Sequence, residues 1–126
     1  MPAKLAAQAV VELVVSAADT AASLHSGDVD VLATPRLIAL CEQAAAEAIA
    51  GRLGAEQTSV GARVELSHVA PVAVGSTVRA TATLERVEGP RFSFAVTATD
   101  RCGLVAAGKV LRVVVDRRRQ FTDRAR

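Results

Sequence analysis

Apolar and polar residues alternate with a period of two along most of this chain, and one long stretch near its middle follows a helical period instead. From about Ala9 to Val15, Val11, Leu13 and Val15 alternate with Val10, Glu12 and Val14, which predicts a first strand. Between Ser16 and Asp30 the alternation lapses, and the run His25-Ser26-Gly27-Asp28 is turn-prone, so this segment is expected to be loop. Ala33-Thr34-Pro35-Arg36 predicts a helix start, with Thr34 as the capping residue and Pro35 in the first helical position. The helix is expected over Pro35 to Ala50, where Leu37, Leu40, Cys41, Ala44, Ala45, Ala48 and Ile49 form one broad apolar stripe. Gly51 and Gly54 are its stop signals.

Four more strands follow. From about Thr58 to Val69, Val60, Ala62, Val64 and Leu66 share one parity and are expected to form a buried face. Val78, Ala80, Ala82 and Leu84 do the same in the next strand, and Phe92, Phe94, Val96 and Ala98 in the one after it. The short Gly89-Pro90 link between those two predicts an antiparallel hairpin. A last strand from about Leu104 to Val115 is apolar on both sides, as suits the middle of a sheet or a subunit contact. The order strand, helix, four strands predicts an α+β fold, an antiparallel sheet of about five strands carrying one long helix on a single face. A single domain over residues 1–116 is expected, followed by a basic tail over 117–126.

Composition narrows the function. The chain of 126 residues is 51% apolar, enough for one packed core, yet it has three Phe and no Trp or Tyr. Such a core rests on Val, Ala and Leu, which bury less area per residue than aromatics do, so association with a second copy is expected. The formal charge of +2 owes much to Arg117, Arg118, Arg119, Arg124 and Arg126. The rest offers neither a basic stripe nor stacking aromatics, which argues against a nucleic-acid partner. Cys41 and Cys102 have no metal-binding or redox spacing, and no apolar run reaches the length of a membrane span. A reduced, cytoplasmic setting with no metal and no membrane is the expectation.

His68 continues the parity of Leu66 and is expected to face the helix, either as an ordinary core-edge histidine or as a working one. At about 100° per residue Glu42 projects within about 20° of Ile49, at the margin of the apolar stripe. A carboxylate there is partly desolvated, although a helix-surface Glu that reaches water has the same sequence. Thr34 stands two turns earlier, where unpaired N–H groups suit a carbonyl oxygen that gains negative charge. Cys41 lies on the apolar stripe and is expected to be an inert buried thiol.

The stretches Val31-Leu32-Ala33-Thr34-Pro35, Cys41-Glu42, Thr58-Ser59-Val60-Gly61 and Leu66-Ser67-His68-Val69-Ala70-Pro71 resemble the fluoroacetyl-CoA thioesterase-like branch of the hotdog superfamily. Gly75, Val87-Glu88-Gly89 and Arg112 extend the resemblance, which runs from about Val10 to Val115. It implies a hotdog fold, a small homodimeric hydrolase and joint action by Thr34, Glu42 and His68. By the same resemblance Gly61 would lie against the acyl pocket and Arg112 would face it or the CoA, with Ala33 and Pro35 as further substrate contacts. The fluoroacetyl-specific enzyme carries aromatic residues in the loop before the helix, whereas residues 24–30 here have none. The resemblance therefore implies thioester hydrolysis of a small acyl-CoA rather than that one substrate.

Thioester hydrolysis needs no cofactor beyond the CoA of the substrate itself. A homodimer is expected, and dimers that pair again are a further level. The competing expectation is a hotdog module that binds an acyl-CoA or small ligand without turning it over. A hotdog hydratase is disfavoured because the short Asp-His motif it uses is missing.

Overall fold

The computed structural model of the chain describes residues 7–118. Strand β1 (Gln8–Val14) leads through a 3-10 turn (Ala17–Asp19) and a loop to helix α1 (Thr34–Ile49). A second 3-10 turn (Ala50–Arg52) precedes β2 (Gln57–His68), β3 (Thr77–Glu88), β4 (Arg91–Asp100) and β5 (Gly103–Asp116). These form one antiparallel sheet in the order β1-β3-β4-β5-β2, so β1 and β2 are its edges and the doubly apolar β5 is interior.

Helix α1 lies on one face of that sheet. Its buried residues Leu37, Leu40, Cys41, Ala44, Ala45 and Ile49 meet Val78, Ala80 and Ala82 of β3, Phe94 and Val96 of β4, and Val105 and Val110 of β5 in a single core. The expected apolar stripe is thus the buried face, with Ala48 packed at its margin. The β3–β4 hairpin turns at Gly89, whose φ of 60° is a backbone state that glycine adopts without steric cost.

Two local expectations need correction. The helix starts one residue early: Ala33 is the capping residue, its carbonyl accepts from the Leu37 N–H, and Thr34 and Pro35 occupy the first two helical positions. Thr34 therefore does not cap the helix, because its hydroxyl is drawn to His68 instead. In β2, the expected inward parity holds for Val64, Leu66 and His68 but fails at Val60 and Ala62, which are exposed. A register shift between Gly61 and Arg63 leaves Ala62 as an extra residue. Such a bulge reverses the facing of everything before it, so Ser59 and Gly61 share the helix-side face with His68.

At the other end of the chain, Arg117 still donates its backbone N–H to Glu56 O at 2.8 Å, so pairing outlasts the expected start of the tail. The remainder of that tail, from Arg119, lies outside the described residues.

Candidate active site

The loop before α1 is built to fix the helix start. Ala33 is fully buried and donates its N–H to Asp19 O at 2.9 Å, while Arg36 Nε donates to Asp19 Oδ1 at 3.1 Å. Leu32 N–H donates to Val72 O at 2.8 Å, which ties this loop to the segment that follows β2. Asp19 is held below its ordinary carboxylate range, chiefly by the Ser16 backbone N–H and with help from the Ser16 hydroxyl and Arg36, against the opposing effect of burial.

These ties bring the first residue of α1 to the last residue of β2. Thr34 Oγ1 and His68 Nδ1 are 2.7 Å apart, a short hydrogen bond in which the hydroxyl donates to a bare Nδ1 or accepts from a protonated one. The other ring nitrogen, His68 Nε2, is buried and has no hydrogen-bond partner among the described residues. Both side chains line an open cavity of about 300 Å³ whose other walls include Ala21, Ser26, Val31 and Pro71. A volume of that order, with Ser26, Thr34 and His68 set among apolar side chains, is at the small end of the usual range for small-molecule sites.

Two helical turns along, a second pair forms. Glu42 rests against Gly61 of β2, and a Cβ on that glycine would overlap Glu42 Oε2. Arg112 of β5, paired across the sheet with Gly61, brings Nη1 to 3.5 Å from the same oxygen. Arg112 is 9% exposed, and its Nε and Nη2 donate to Ser59 Oγ (2.8 Å) and Ser59 O (2.9 Å). Burial pushes the guanidinium below its ordinary range and the Glu42 charge pulls it back. Cys41, next to Glu42, is fully buried, and burial first and the Glu42 charge second push its thiol up to about 11.

The expected residues thus separate into two groups where α1 meets β2, Thr34 with His68 and Glu42 with Gly61 and Arg112. Eight residues of helix separate Thr34 from Glu42, about 12 Å along the axis. Ala33 and Pro35 join neither group. The first is wholly buried with its N–H and C=O both engaged, and the second is exposed. Sequence reasoning assigned no role to Ser59, because only the bulge at Ala62 turns it toward Arg112. Asp19 was missed because nothing local marks a loop carboxylate as the anchor of a helix start.

A helix laid on a five-stranded antiparallel sheet thus carries a hydroxyl–imidazole pair at its start and a carboxylate further along. The family described as fluoroacetyl-CoA-specific thioesterase matches residues 15–118. The fluoroacetyl-CoA thioesterase of Streptantibioticus cattleyicolor is 35% identical over 86 residues, 68% of this chain and 62% of the relative's own length. Among solved structures, a mutant of the fluoroacetyl-CoA-specific thioesterase bound to fluoroacetate and CoA is similar, with TM-score 0.85, 29% identity and coverage of 90% of this chain and 95% of the other. A hot-dog-like protein from Thermanaerovibrio acidaminovorans is similar at TM-score 0.86 and 30% identity, covering 96% of this chain and 89% of the other. A Thermus thermophilus thioesterase superfamily member follows at TM-score 0.83 and 28% identity, covering 94% and 92%. The fold is the hotdog fold, and the chain belongs to the fluoroacetyl-CoA-specific thioesterase family.

Proposed function

We propose that this chain hydrolyses a small acyl-CoA thioester to the free acid and CoA, with Thr34, Glu42 and His68 as the working groups. The observation that carries this reading is the 2.7 Å contact between Thr34 Oγ1 and His68 Nδ1 at the mouth of a cavity. Thr34 polarises the thioester carbonyl, with the positive end of α1 behind it. Glu42 either draws a proton from the attacking water, which His68 passes to the departing thiolate of CoA, or attacks the carbonyl itself and expels the thiolate. The second route leaves an anhydride that water then cleaves to the free acid, while His68 takes the water's proton and delivers it to the thiolate. Coenzyme A enters only as part of the substrate, and no separate cofactor takes part.

The acyl group is small, in keeping with a cavity of about 300 Å³. Residues 24–30, which lie in the loop before α1, carry no aromatic side chain to close over a fluoroacetyl group, so selectivity for that acyl group is not part of the proposal.

The working unit is a homodimer. Strand β2 is a twelve-residue edge, and open edges of that length are commonly covered by a second copy. Antiparallel pairing of two β2 strands about a twofold axis at Glu65, with the extra residue Ala62 bulged out of the register, sets Gly61 of one protomer opposite His68 of its partner. That pairing closes the gap along α1 by drawing the Glu42 group from one protomer and the Thr34–His68 group from the other. No helix of the described residues is long and apolar enough to cross a membrane, and a cytoplasmic location fits the two unpaired cysteines. The test is thiol release by the purified protein from a panel of acetyl- to hexanoyl-CoA. Turnover of short acyl groups supports the proposal, and tight binding with every thioester left intact points to the non-catalytic binding module instead.

A further inference from the structure

Arg112 and Thr20 are the two polar residues that are buried among the described residues, and Arg112 is the one that carries charge. One residue engages two of its three guanidinium nitrogens: Nε donates to Ser59 Oγ at 2.8 Å and Nη2 donates to Ser59 O at 2.9 Å. The third, Nη1, is left 3.5 Å from Glu42 Oε2. A planar guanidinium gripped at two edges cannot rotate without breaking both bonds, so the direction of Nη1 is set by Ser59 and not by Glu42.

Two features of β2 make this grip possible. Gly61, directly opposite Arg112, leaves the guanidinium clear of any longer side chain as it reaches along the strand; an added Cβ there would meet Nη1 only in ordinary contact at 3.6 Å and would clash with Glu42 instead. The bulge at Ala62 turns Ser59 and Gly61 to the helix side, where an unbroken strand would present Val60 and Ala62. Bulges of this kind often re-aim side chains beside active sites.

We infer that Ser59 is a positioning residue for the hydrolysis: it holds Arg112 so that Nη1 fixes the Glu42 carboxylate in its notch on β2. The inference rests on the hydrolase reading above and adds a residue that never touches the substrate. A merely structural Ser59 would satisfy a buried arginine and leave the chemistry alone, so the test must read both.

Parent, Ser59→Ala and Ser59→Thr proteins are compared for kcat and KM on the best short acyl-CoA, and for solvent exchange of the Arg112 Nε–H by 15N NMR, the signal being assigned with Arg112→Lys. Loss of one hydrogen bond to a charged group is expected to lower kcat about tenfold in Ser59→Ala with KM little changed. The Arg112 Nε–H is expected to exchange faster in the same variant, and Ser59→Thr, which keeps the hydroxyl, is expected to restore both readouts. Faster Nε–H exchange with unchanged kcat overturns the inference and leaves Ser59 a structural partner. A fall in kcat that Ser59→Thr fails to rescue, with unchanged Nε–H exchange, also overturns it. A parent that releases no thiol from any acyl-CoA overturns the hydrolase reading itself, and this inference with it.

Discussion

Gly61 and Glu42 fit together as notch and carboxylate: the strand is bare at the point where the acid of α1 comes to rest, and a methyl group there would overlap Oε2. The overlapped atom is the far end of a flexible side chain, so the fold can absorb the change while the carboxylate cannot keep its place. Gly61→Ala is expected to lower thiol release by up to about 10²-fold, the scale of a misplacement of about 1 Å. Thermal unfolding is expected to stay close to that of the parent. A large fall in the unfolding midpoint, or full activity, would contradict this matching.

Burial separates the two cysteines. Cys41 is fully buried with its thiol pushed up to about 11, whereas Cys102 is exposed in the β4–β5 turn. Because the thiolate is the reactive form, iodoacetamide at pH 8 is expected to alkylate Cys102 alone in the folded protein, and both residues after denaturation. Peptide mass spectrometry reads the result. Rapid modification of Cys41 in the native state would show a thiol far more accessible than the core allows.

Asp19 ties the loop to the start of α1, and its carboxyl is held below the ordinary range of about 3.9, mainly by the Ser16 N–H. A group depressed on folding contributes stability that is fully present above the unfolded value and is lost as pH falls through the folded one. Asp19→Asn is therefore expected to be less stable than the parent at pH 7, with the gap closing as pH drops below about 3.9. Urea midpoints at several pH values check this. A gap that stays constant down to acid pH would mean that the carboxylate charge plays no part.

If each site draws on both protomers, inactive variants should complement each other. Glu42→Gln and His68→Ala proteins, each impaired alone, are expected to regain activity when mixed under conditions that exchange subunits, because a mixed dimer holds one intact set of groups. Light scattering should report a dimer throughout. No recovery from a mixture shown to contain mixed dimers would place the whole site within one protomer.

Much of this molecule was legible in the chain. The element order and the buried face of α1 followed from periodicity, because each element hides a single face and its apolar residues must repeat with that element's own period. The bulge was not legible. Val60 and Ala62 match the alternation of Val64 and Leu66 in the sequence, and only the pairing register with β5 shows that one residue is extra. The role of Thr34 was half legible: it begins the helix, but a hydroxyl at that position can bond the helix backbone or a neighbouring side chain equally well. Here the approach of His68, brought in by long-range strand pairing, decides between them. The two-part layout of the site has the same origin, since local spacing fixed the distance along α1 but not which part of β2 each residue would meet.

The most direct measurement is steady-state thiol release from short acyl-CoAs by the parent and by Thr34→Ala, Glu42→Gln and His68→Ala, with circular dichroism to confirm folding. Active parent protein, and losses of about 10²–10⁴-fold in the folded Glu42 and His68 variants, are the expected outcome. Near-parental turnover in both of those variants would contradict the assignment of this chemistry to the α1–β2 face.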